Sequence, residues 1–374
     1  MSKKYHIAMT GVFCGFLGAV LGLSIILPDK SFSELENRNL STVPELSVES
    51  LTSGDFMEDA EEYTADHIVG RDFWVALKAY CERFSGKQEN NGAYFAKNGA
   101  VINRVEEPDM EKLQSNVGFI NKLVENVDVP VRFGVIPSAA TIWNEYLPQG
   151  APTADEEQIL SDLFCYDYQG EDPINLGWAL SQHKDEYIFY KTDHHWTSLG
   201  AFYGANAIFE AMGLEPLNLE DYTPATVTED FNGTTFSSSG VRWLRPDSIQ
   251  TYIPEDGVKV TAYYTGKPEE STLYHEEFLE KKDKYSYFLG GNQPLCVIES
   301  EKNDGPKVLV IRDSYSDSLA PFLTERFSEV HLFDVRYNMM SPSQYVQANG
   351  IDEVIVLYSF NNFVQGQNFF TIGR

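Results

Sequence analysis

The sequence predicts an α/β fold with a mostly parallel sheet and covering helices, preceded by one membrane-spanning helix. Three observations lead to this prediction. They are an uncharged apolar run near the amino end, short β-branched runs that alternate with helical segments, and a middle stretch that lacks this alternation of strands and helices. With 374 residues, 43% of them hydrophobic, the chain is long enough to bury a substantial core.

The apolar run covers residues 7–27, which carry no charged side chain, and it follows a short basic segment, residues 1–6. A helix of this length crosses a hydrocarbon core of ~30 Å, and a basic amino end favours the cytoplasm. Pro28 follows the run without a small-residue cleavage pattern. We therefore predict a single-pass protein of the cell membrane with a cytoplasmic amino-terminus (1–6), a retained signal anchor (7–27) and an extracytoplasmic remainder.

The charge of the chain restricts its partners. It has 28 basic and 56 acidic residues, which gives a formal net charge of -28. Such a field repels phosphate backbones, so nucleic acid is excluded as a predicted partner. Neutral or weakly charged glycans remain compatible with it.

The segment after the anchor, residues 28–54, is rich in Ser, Glu, Asn and Pro and is predicted to be a tether. Residues 55–84 then show helical spacing with one apolar stripe. The stripe consists of Phe73, Trp74, Leu77, Tyr80 and Phe84. We interpret these side chains as core and not as a sugar-binding platform.

The rest of the predicted domain, which spans residues 55–374, alternates apolar runs with helical segments, as a parallel sheet with right-handed crossovers requires. The predicted strands are 131–136, 187–190, 308–311, 330–333 and 354–357. The predicted helices are 110–126, 197–212, 315–327 and 343–348. Residues 217–291 are rich in Thr, Ser, Tyr and Gly, and they are predicted to form a β-rich insertion.

The first candidate site is the run Tyr-Lys-Thr-Asp-His-His-Trp-Thr at 190–197, placed where a predicted strand ends and a helix begins. Alternate residues of an extended chain share a face, so Asp193 and His195 should point together and His194 should point away. A carboxylate beside one imidazole nitrogen leaves the other free to act as a general base. The run therefore predicts an acid–histidine pair.

Two other interpretations of this run stay open. Thr197 or Ser198 can cap the following helix while the histidines are polar fillers. Asp193 can also bind a metal ion with both histidines, although the strand geometry turns His194 away and the sequence shows no obvious further ligand. We predict neither a metal ion nor a cofactor.

The second candidate site is Arg312-Asp313-Ser314-Tyr315-Ser316, where an apolar strand turns into a helix. A serine at such a turn projects its oxygen above the sheet edge, and the N–H groups of the helix start can face an oxyanion. The same residues are also good helix N-caps, so this segment alone leaves both roles open. Its combination with the Asp-x-His pair favours Ser314 as a nucleophile.

The run 191–197 together with Ser-Leu-Gly-Ala at 198–201 resembles the DHHW protein family, whose members look like relatives of the alginate O-acetyltransferases. Further motifs extend the resemblance over most of the chain, namely Glu36-Asn37-Arg38, Gly70-Arg71-Asp72 and Arg312-Asp313-Ser314-Tyr315-Ser316. It implies an SGNH-hydrolase-like (flavodoxin-like) domain with Asp193, His195 and Ser314 as catalytic residues. The motif order is circularly permuted, since ordinary SGNH hydrolases have the serine block first. Arg312 and Asp313 replace the small residues often found before the serine in the alginate enzymes.

Five residues near these motifs are predicted to bind substrate. Arg336 and Tyr337 follow a predicted strand on the same sheet edge, and Asn292 follows two glycines. Tyr315 and Trp196 adjoin the predicted nucleophile and histidine. Strand-end arginines also commonly pair with a carboxylate, so Arg336 has a structural alternative.

The resemblance implies a serine-dependent O-acetyltransferase that acts on a cell-surface or secreted polysaccharide through an acetyl-serine. It also implies that a membrane-bound O-acyltransferase of the MBOAT type supplies the acetyl group. Two alternatives remain: a carbohydrate O-acetyl esterase with the same triad, and a non-catalytic glycan-binding component of a polysaccharide export complex. The second alternative would not require an intact triad.

Overall fold

The computed structural model describes residues 3–33, 35–36, 38–264, 266–366 and 368–374. Six residues of the predicted segments and motifs lie outside the described residues, namely Met1, Ser2, Glu34, Asn37, Thr265 and Gln367. The chain divides into two compact units, of which the first comprises Met1–Asn91 and Ser237–Trp243, and the second Gly92–Phe236 and Leu244–Arg374. The second unit begins later than the predicted domain start at residue 55.

The first unit begins with helix α1 (Lys3–Ile26), which has a mean hydropathy of 2.1 over its best window. Among the described residues it is the helix long and apolar enough to cross a membrane, and a signal sequence would pass the same test. The elements that follow in this unit are β1 (Phe32–Ser33), β2 (Arg38–Asn39), α2 (Val48–Ser53), α3 (Asp55–His67), α4 (Arg71–Phe84) and β3 (Glu89–Asn90). The predicted tether therefore contains regular structure.

Helix α4 has the predicted apolar stripe, but our interpretation of that stripe as core is wrong. Phe84 is 96% exposed and Phe73 is 60% exposed, while Ala79 is the one fully buried residue of this helix. The indole of Trp74 lies along the helix start and donates to the carbonyl of Val69. Helical periodicity shows that a face is apolar, but it does not show what covers that face.

The motifs at residues 36–38 and 70–72 meet in a network of ion pairs within the first unit. Arg38 donates to both carboxylate oxygens of Asp66, and Arg38 and Arg71 both donate to Glu36. Burial opposes ionisation of Asp66, but the Arg38 guanidinium lowers its pKa to about 2. These motif residues thus join the segment after α1 to the start of α4.

From residue 92 onward the chain forms eleven strands and nine helices of α type among the residues that the structure describes. The helices are α5 (Met110–Asn126), α6 (Ala139–Ile142), α7 (Glu156–Asp162), α8 (Leu176–Ser181), α9 (Ser198–Ala211), α10 (Thr234–Ser239), α11 (Tyr315–Leu323), α12 (Pro342–Asn349) and α13 (Phe360–Gln365). The strands are β4 (Ala93–Phe95), β5 (Val101–Asn103), β6 (Val131–Ile136), β7 (Ala225–Phe231), β8 (Asp247–Thr251), β9 (Val258–Ala262), β10 (Glu269–Ser271), β11 (Leu295–Ser300), β12 (Lys307–Arg312), β13 (Glu329–Phe333) and β14 (Glu353–Ser359).

Seven strands form the main sheet in the order β10-β9-β11-β13-β12-β14-β6. Strands β13, β12, β14 and β6 are mutually parallel, and they correspond to four of the five predicted strands. Strands β11, β9 and β10 extend the sheet in antiparallel fashion. Because β12 and β14 are buried along nearly their whole length, their continuous apolar runs fit strands that are covered on both faces. The mixed α/β class with a parallel region is therefore confirmed, and the circular permutation stays a prediction.

The predicted strand at 187–190 is wrong. Phe189 makes a single antiparallel bridge to Trp196, and the backbone turns back on itself between them. The amide of Tyr190 donates to the carbonyl of His195, which closes this turn. The Asp-His-His run therefore lies in a tight loop and not at the end of a sheet strand.

The β-rich stretch at 217–291 has two parts. Strands β7 and β8 pair with each other in an irregular antiparallel ribbon. Strands β9 and β10 instead join the main sheet beside β11. The second part of the predicted insertion is therefore integral to the sheet.

Candidate active site

Three predicted catalytic side chains meet in a hydrogen-bonded row. The Ser314 hydroxyl lies 2.8 Å from Nε2 of His195, and Nδ1 of His195 lies 2.6 Å from Oδ1 of Asp193. Asp193 and His195 are both about 95% buried, at 4% and 5% exposure. This geometry allows Ser314 to donate to the imidazole while Nδ1–H donates to the carboxylate, as in a nucleophile–base–acid triad.

Ser314 precedes α11, yet its side chain does not cap that helix. The carboxylate of Asp313 accepts from the Tyr315 amide at 3.0 Å instead. The hydroxyl of Ser314 is therefore available to His195. At the other motif Thr197 does cap α9, by accepting from the Gly200 amide, so capping and the acid–histidine pair coexist there.

The carboxylate of Asp193 is held by donors from a distant segment. Its Oδ2 accepts from the Thr234 amide at 2.7 Å and from the Thr234 hydroxyl at 3.0 Å. Its Oδ1 also accepts from the His195 amide at 3.0 Å. Burial alone would raise the pKa of Asp193, but the imidazoles of His194 and His195 and these hydrogen bonds hold it well below the ordinary value. Asp193 is therefore ionised at neutral pH.

Gly233 allows this close approach. A Cβ at this position would lie 2.3 Å from both Cβ and Oδ2 of Asp193, a distance that real contacts do not show. Thr234 can therefore reach the carboxylate only because its neighbour lacks a side chain. Sequence analysis missed both residues, and the Asn232-Gly233 pair, which commonly forms turns, was the signal available.

The first residue of β8, Asp247, anchors the loop that carries the acid–histidine pair. Its carboxylate accepts from the amides of Lys191 and Thr192 at 3.0 and 2.7 Å, and from the Thr192 hydroxyl at 2.6 Å. The phenol of Tyr187 donates to it as well. Burial raises the pKa of Asp247 while these hydrogen bonds oppose the rise. The β7–β8 ribbon thus fixes the backbone just before Asp193.

The prediction that His194 points away from its neighbours is wrong, because the run is a bend and not a strand. The ring centroids of His194 and His195 are 3.9 Å apart, and Nδ1 of His194 lies 2.6 Å from the Thr234 hydroxyl. Partial burial and the His195 imidazole lower the pKa of His194 to about 4, so it is neutral at pH 7. Its Nδ1–H donates to Thr234, which in turn donates to Asp193.

This arrangement bears on the metal alternative. Ligand atoms of Asp193, His194 and His195 all lie within 4.8 Å of one another, so the bend removes the strand-face objection to a metal site. However, Asp193 and His195 are hydrogen-bonded to each other, and Nε2 of His195 faces Ser314. A metal ion bound here would have to replace those hydrogen bonds. The absence of a metal stays a prediction.

Tyr285 is a site residue that sequence analysis missed. Its ring stacks on the His195 imidazole with centroids 3.8 Å apart and planes 9° from parallel. Its hydroxyl lies 3.1 Å from the Ser314 carbonyl and 3.1 Å from the Ser318 hydroxyl. The Tyr285 ring therefore covers one face of the His195 imidazole and restricts its orientation. The π electrons of the Tyr285 ring can stabilise a protonated imidazole.

Two of the predicted substrate-binding residues are structural, so those predictions are wrong. Trp196 is fully buried, and its indole N–H lies 2.9 Å from the Tyr315 carbonyl and 3.1 Å from the Ser318 hydroxyl. Tyr315 is 3% exposed, and its phenol donates to the carbonyl of His194. Neither side chain has a free surface for substrate, and both hold the two motifs together.

The other predicted substrate-binding residues lie close to one another. Arg336 makes a two-pronged ion pair with Asp334, at 2.9 and 2.6 Å, and its Nη2 donates to Asn292 at 3.1 Å. Tyr337 is 54% exposed, with the Arg336 guanidinium 5.5 Å from its ring centre. Arg336 therefore pairs with a carboxylate, which was the structural alternative to substrate binding. Substrate contact by Arg336, Asn292 and Tyr337 stays a prediction.

The two residues before the candidate nucleophile, Arg312 and Asp313, make buried contacts inside the fold. Arg312 is fully buried and pairs with Asp317 at 2.8 Å. Asp313 accepts from the amide and hydroxyl of Ser359 at 2.9 and 2.7 Å, and from Asn362 at 2.8 Å. These contacts tie the end of β12 to the end of β14. Arg312 and Asp313, which replace the small residues of the alginate enzymes, therefore stabilise the turn at Ser314 through buried ionic and hydrogen-bond contacts.

The comparison with protein families identifies the part of the chain that contains the candidate site. Residues 175–333 match the model of the DHHW protein family, and this range includes all three residues of the hydrogen-bonded row. No curated protein matches the sequence.

Solved structures match about three quarters of this chain and most of their own length. A DHHW family protein from Eubacterium siraeum is 26% identical with a TM-score of 0.67, and the match covers 76% of this chain and 95% of that chain. Bacillus cereus PatB1, in a structure with a sulfonyl adduct, is 21% identical with a TM-score of 0.63, covering 75% and 97%. The O-acetyltransferase domain of Pseudomonas putida AlgJ is 14% identical with a TM-score of 0.46, covering 74% and 93%.

The resemblance that the sequence motifs indicated is therefore confirmed: this chain carries a DHHW family segment at residues 175–333 and has the fold of a DHHW family protein.

Proposed function

We propose that this protein is a serine-dependent O-acetyltransferase that modifies a cell-surface or secreted polysaccharide. The observation that carries the proposal is the row Ser314–His195–Asp193, with its two hydrogen bonds of 2.8 and 2.6 Å. Such a row activates a hydroxyl for attack on an acyl group. The DHHW segment supports the choice of acetyl transfer, because its motifs resemble a family whose members look like relatives of the alginate O-acetyltransferases.

The first step forms an acetyl-serine. Oγ of Ser314 attacks the carbonyl carbon of the acetyl donor while Nε2 of His195 takes the hydroxyl proton. The tetrahedral intermediate collapses, the donor oxygen leaves with that proton, and the acetyl group stays on Ser314. In the second step a glycan hydroxyl attacks the acetyl-serine, His195 takes its proton, and the proton returns to Ser314 Oγ.

The surroundings of the row support both steps. The ionised Asp193 holds Nδ1–H of His195 and stabilises the imidazolium that forms twice per cycle. Tyr285 stacks on the same ring. The backbone N–H of Ser314 at the start of α11 is the first candidate donor to the oxyanion, with Asn292 and Arg336 as further candidates.

We propose that α1 stays in the cell membrane with the remainder outside the cytoplasm. Acetyl-coenzyme A is absent there, so a membrane-bound O-acyltransferase of the MBOAT type would deliver the acetyl group. This partner and the extracytoplasmic location are supported by the family resemblance and by the apolar helix.

The test supplies an acetyl donor and a panel of cell-surface oligosaccharides to the full chain in detergent. Mass spectrometry should show one glycan gaining acetyl groups with wild type and none gaining them with Ser314→Ala. Removal of acetyl groups from pre-acetylated glycans, with no addition even at high acceptor concentration, would assign the esterase function instead. Glycan binding without either reaction would assign the non-catalytic role.

A further inference from the structure

A cavity that the predicted site residues do not line lies at the carboxyl end of β6. It has a volume of about 450 Å³ and opens between α7 and α8. Strand β6 pairs in parallel with β14, and β14 pairs in parallel with β12, the strand that leads to Ser314. Because parallel strands end at a common edge, the cavity and the catalytic row share one edge of the sheet. A volume of this size suits a small ligand or one part of a larger one.

One wall of the cavity is an exposed indole. Trp178 is 64% exposed, although its neighbours in α8, Leu176 and Leu180, are completely buried. Asn175 caps this helix by accepting from the Trp178 amide at 3.0 Å, which fixes the backbone that carries the indole. The position therefore presents a large flat apolar surface to solvent beside a concave site.

The remaining lining mixes apolar and polar side chains and carries no positive charge among the described residues. Side chains with hydroxyl, amide or carboxylate oxygens line the cavity, among them Ser161, Asn175, Ser181 and Glu157. The lining residues that the structure describes include no Lys or Arg. Together with a net charge of -28 this lining disfavours anionic ligands and offers hydrogen bonds to neutral hydroxyl groups.

A second acidic side chain, Glu156, lies in the wall of the cavity. It is 1% exposed, and it accepts from the amide of Ser138 at 2.9 Å and from the Ser138 hydroxyl. Ser138 caps helix α6, which follows β6, so Glu156 is fixed at the carboxyl end of that strand. Because the cavity and Ser314 share one edge of the sheet, a chain-like ligand in the cavity can extend along that edge.

We infer that this cavity binds one neutral pyranose ring of the acceptor polysaccharide, with the C–H face of the sugar on the Trp178 indole. A pyranose combines an apolar face with equatorial hydroxyl groups, which matches an indole wall beside hydroxyl, amide and carboxylate oxygens. The inference rests on the proposed function only in naming the ligand as the acceptor. It also sets a charge preference, since uronate or phosphate-bearing chains would meet the Glu157 carboxylate and no basic side chain among the described lining residues.

The test measures binding by titration calorimetry with the full chain in detergent, so that no turnover is needed. The probes are neutral gluco-, manno-, galacto- and N-acetylglucosamine oligosaccharides and an oligouronate of the same length. We expect at least one neutral probe to bind, with the oligouronate at least about tenfold weaker. Trp178→Ala should weaken the neutral probe at least about tenfold, as truncation of a central aromatic contact does, while Trp178→Phe should keep most of the affinity.

The matched control is Phe370→Ala, which removes an aromatic side chain of the same unit that is 41% exposed and lies outside the cavity. It should bind the probe as wild type does, and so should Ser314→Ala, because binding does not need the nucleophile. No binding by any neutral probe, equal binding of the oligouronate, or unchanged affinity in Trp178→Ala would overturn the inference. Trp178-dependent binding without acetyl transfer would refute the proposed function and leave this binding site standing.

Discussion

The hydroxyl of Thr234 gives a sharp test of how the acid of the triad is held. It donates to Oδ2 of Asp193 at 3.0 Å and accepts from Nδ1 of His194 at 2.6 Å. Thr234→Val keeps the shape of the side chain and the backbone donor, but it removes this link. The substitution therefore probes one hydrogen bond to a buried carboxylate without opening a cavity.

The expected magnitude follows from the donors that remain. A hydrogen bond to a charged group contributes about 1.5–3 kcal/mol, and Asp193 keeps three other donors in the variant. We therefore expect kcat/KM to fall roughly 10- to 100-fold, since each ~1.4 kcal/mol corresponds to a factor of ten. Loss of the acceptor for His194 adds to the upper part of this range.

The assay is hydrolysis of p-nitrophenyl acetate, with circular dichroism and Tm as checks on folding. Thr234→Ser is the matched control, because it restores the hydroxyl, and it should stay within a few-fold of wild type. If Thr234→Val hydrolyses the ester as fast as wild type, the Thr234 hydroxyl has no role in the triad. If Thr234→Ser falls as far as Thr234→Val, lost methyl packing and not the hydrogen bond is responsible.

Three further predictions follow from the same site. Gly233→Ala should abolish ester hydrolysis in a folded protein, because the new Cβ displaces the Asp193 carboxylate; retained turnover would contradict the close approach. The pKa of His194 is lowered from 6.5 to about 4, so between these pH values the unfolded chain binds a proton that the folded chain does not, and stability falls as pH falls. Tm should therefore drop less over this window in His194→Gln than in wild type, and equal drops would refute the assignment. Excess EDTA should change neither ester hydrolysis nor Tm, and a loss of either would instead favour the metal site.

The sequence predicted the parallel core and the three side chains of the hydrogen-bonded row, but one step of the reasoning was wrong. Strands β12, β13 and β14 were identifiable because both of their faces are buried, so their apolar runs are continuous. The face argument for Asp193 and His195 assumed extended backbone, whereas the loop bends and brings His194 beside them. Asp193 and His195 still meet, because a spacing of two residues also allows a bend in which the carboxylate accepts from the His195 amide and imidazole.

The supporting residues could not be predicted because their contacts span long stretches of chain. Thr234 follows Asp193 by 41 positions and Asp247 follows Thr192 by 55, and both come from the irregular β7–β8 region. Nothing in a local pattern marks the one tyrosine, Tyr285, that stacks on the imidazole. Such contacts are decided by tertiary packing, which single-sequence periodicity does not report.

Burial was also hard to predict for aromatic residues. Trp196 adjoins His195 in sequence, yet its indole is fully buried and donates to the Tyr315 carbonyl in α11. The stripe of α4 has the spacing of a core helix, yet Phe73 and Phe84 are exposed. Side chains next to a functional residue can therefore point either way, and only the fold determines which.

The central claim is that Ser314 carries the acetyl group during turnover. The direct measurement mixes the protein briefly with p-nitrophenyl acetate, quenches with acid, digests, and locates acetyl groups by mass spectrometry. We predict one acetyl group on the hydroxyl of Ser314, absent in Ser314→Ala and strongly reduced in His195→Ala. Acetyl transfer that persists in Ser314→Ala, or an acetyl group that accumulates on another residue at the wild-type rate, would contradict the account.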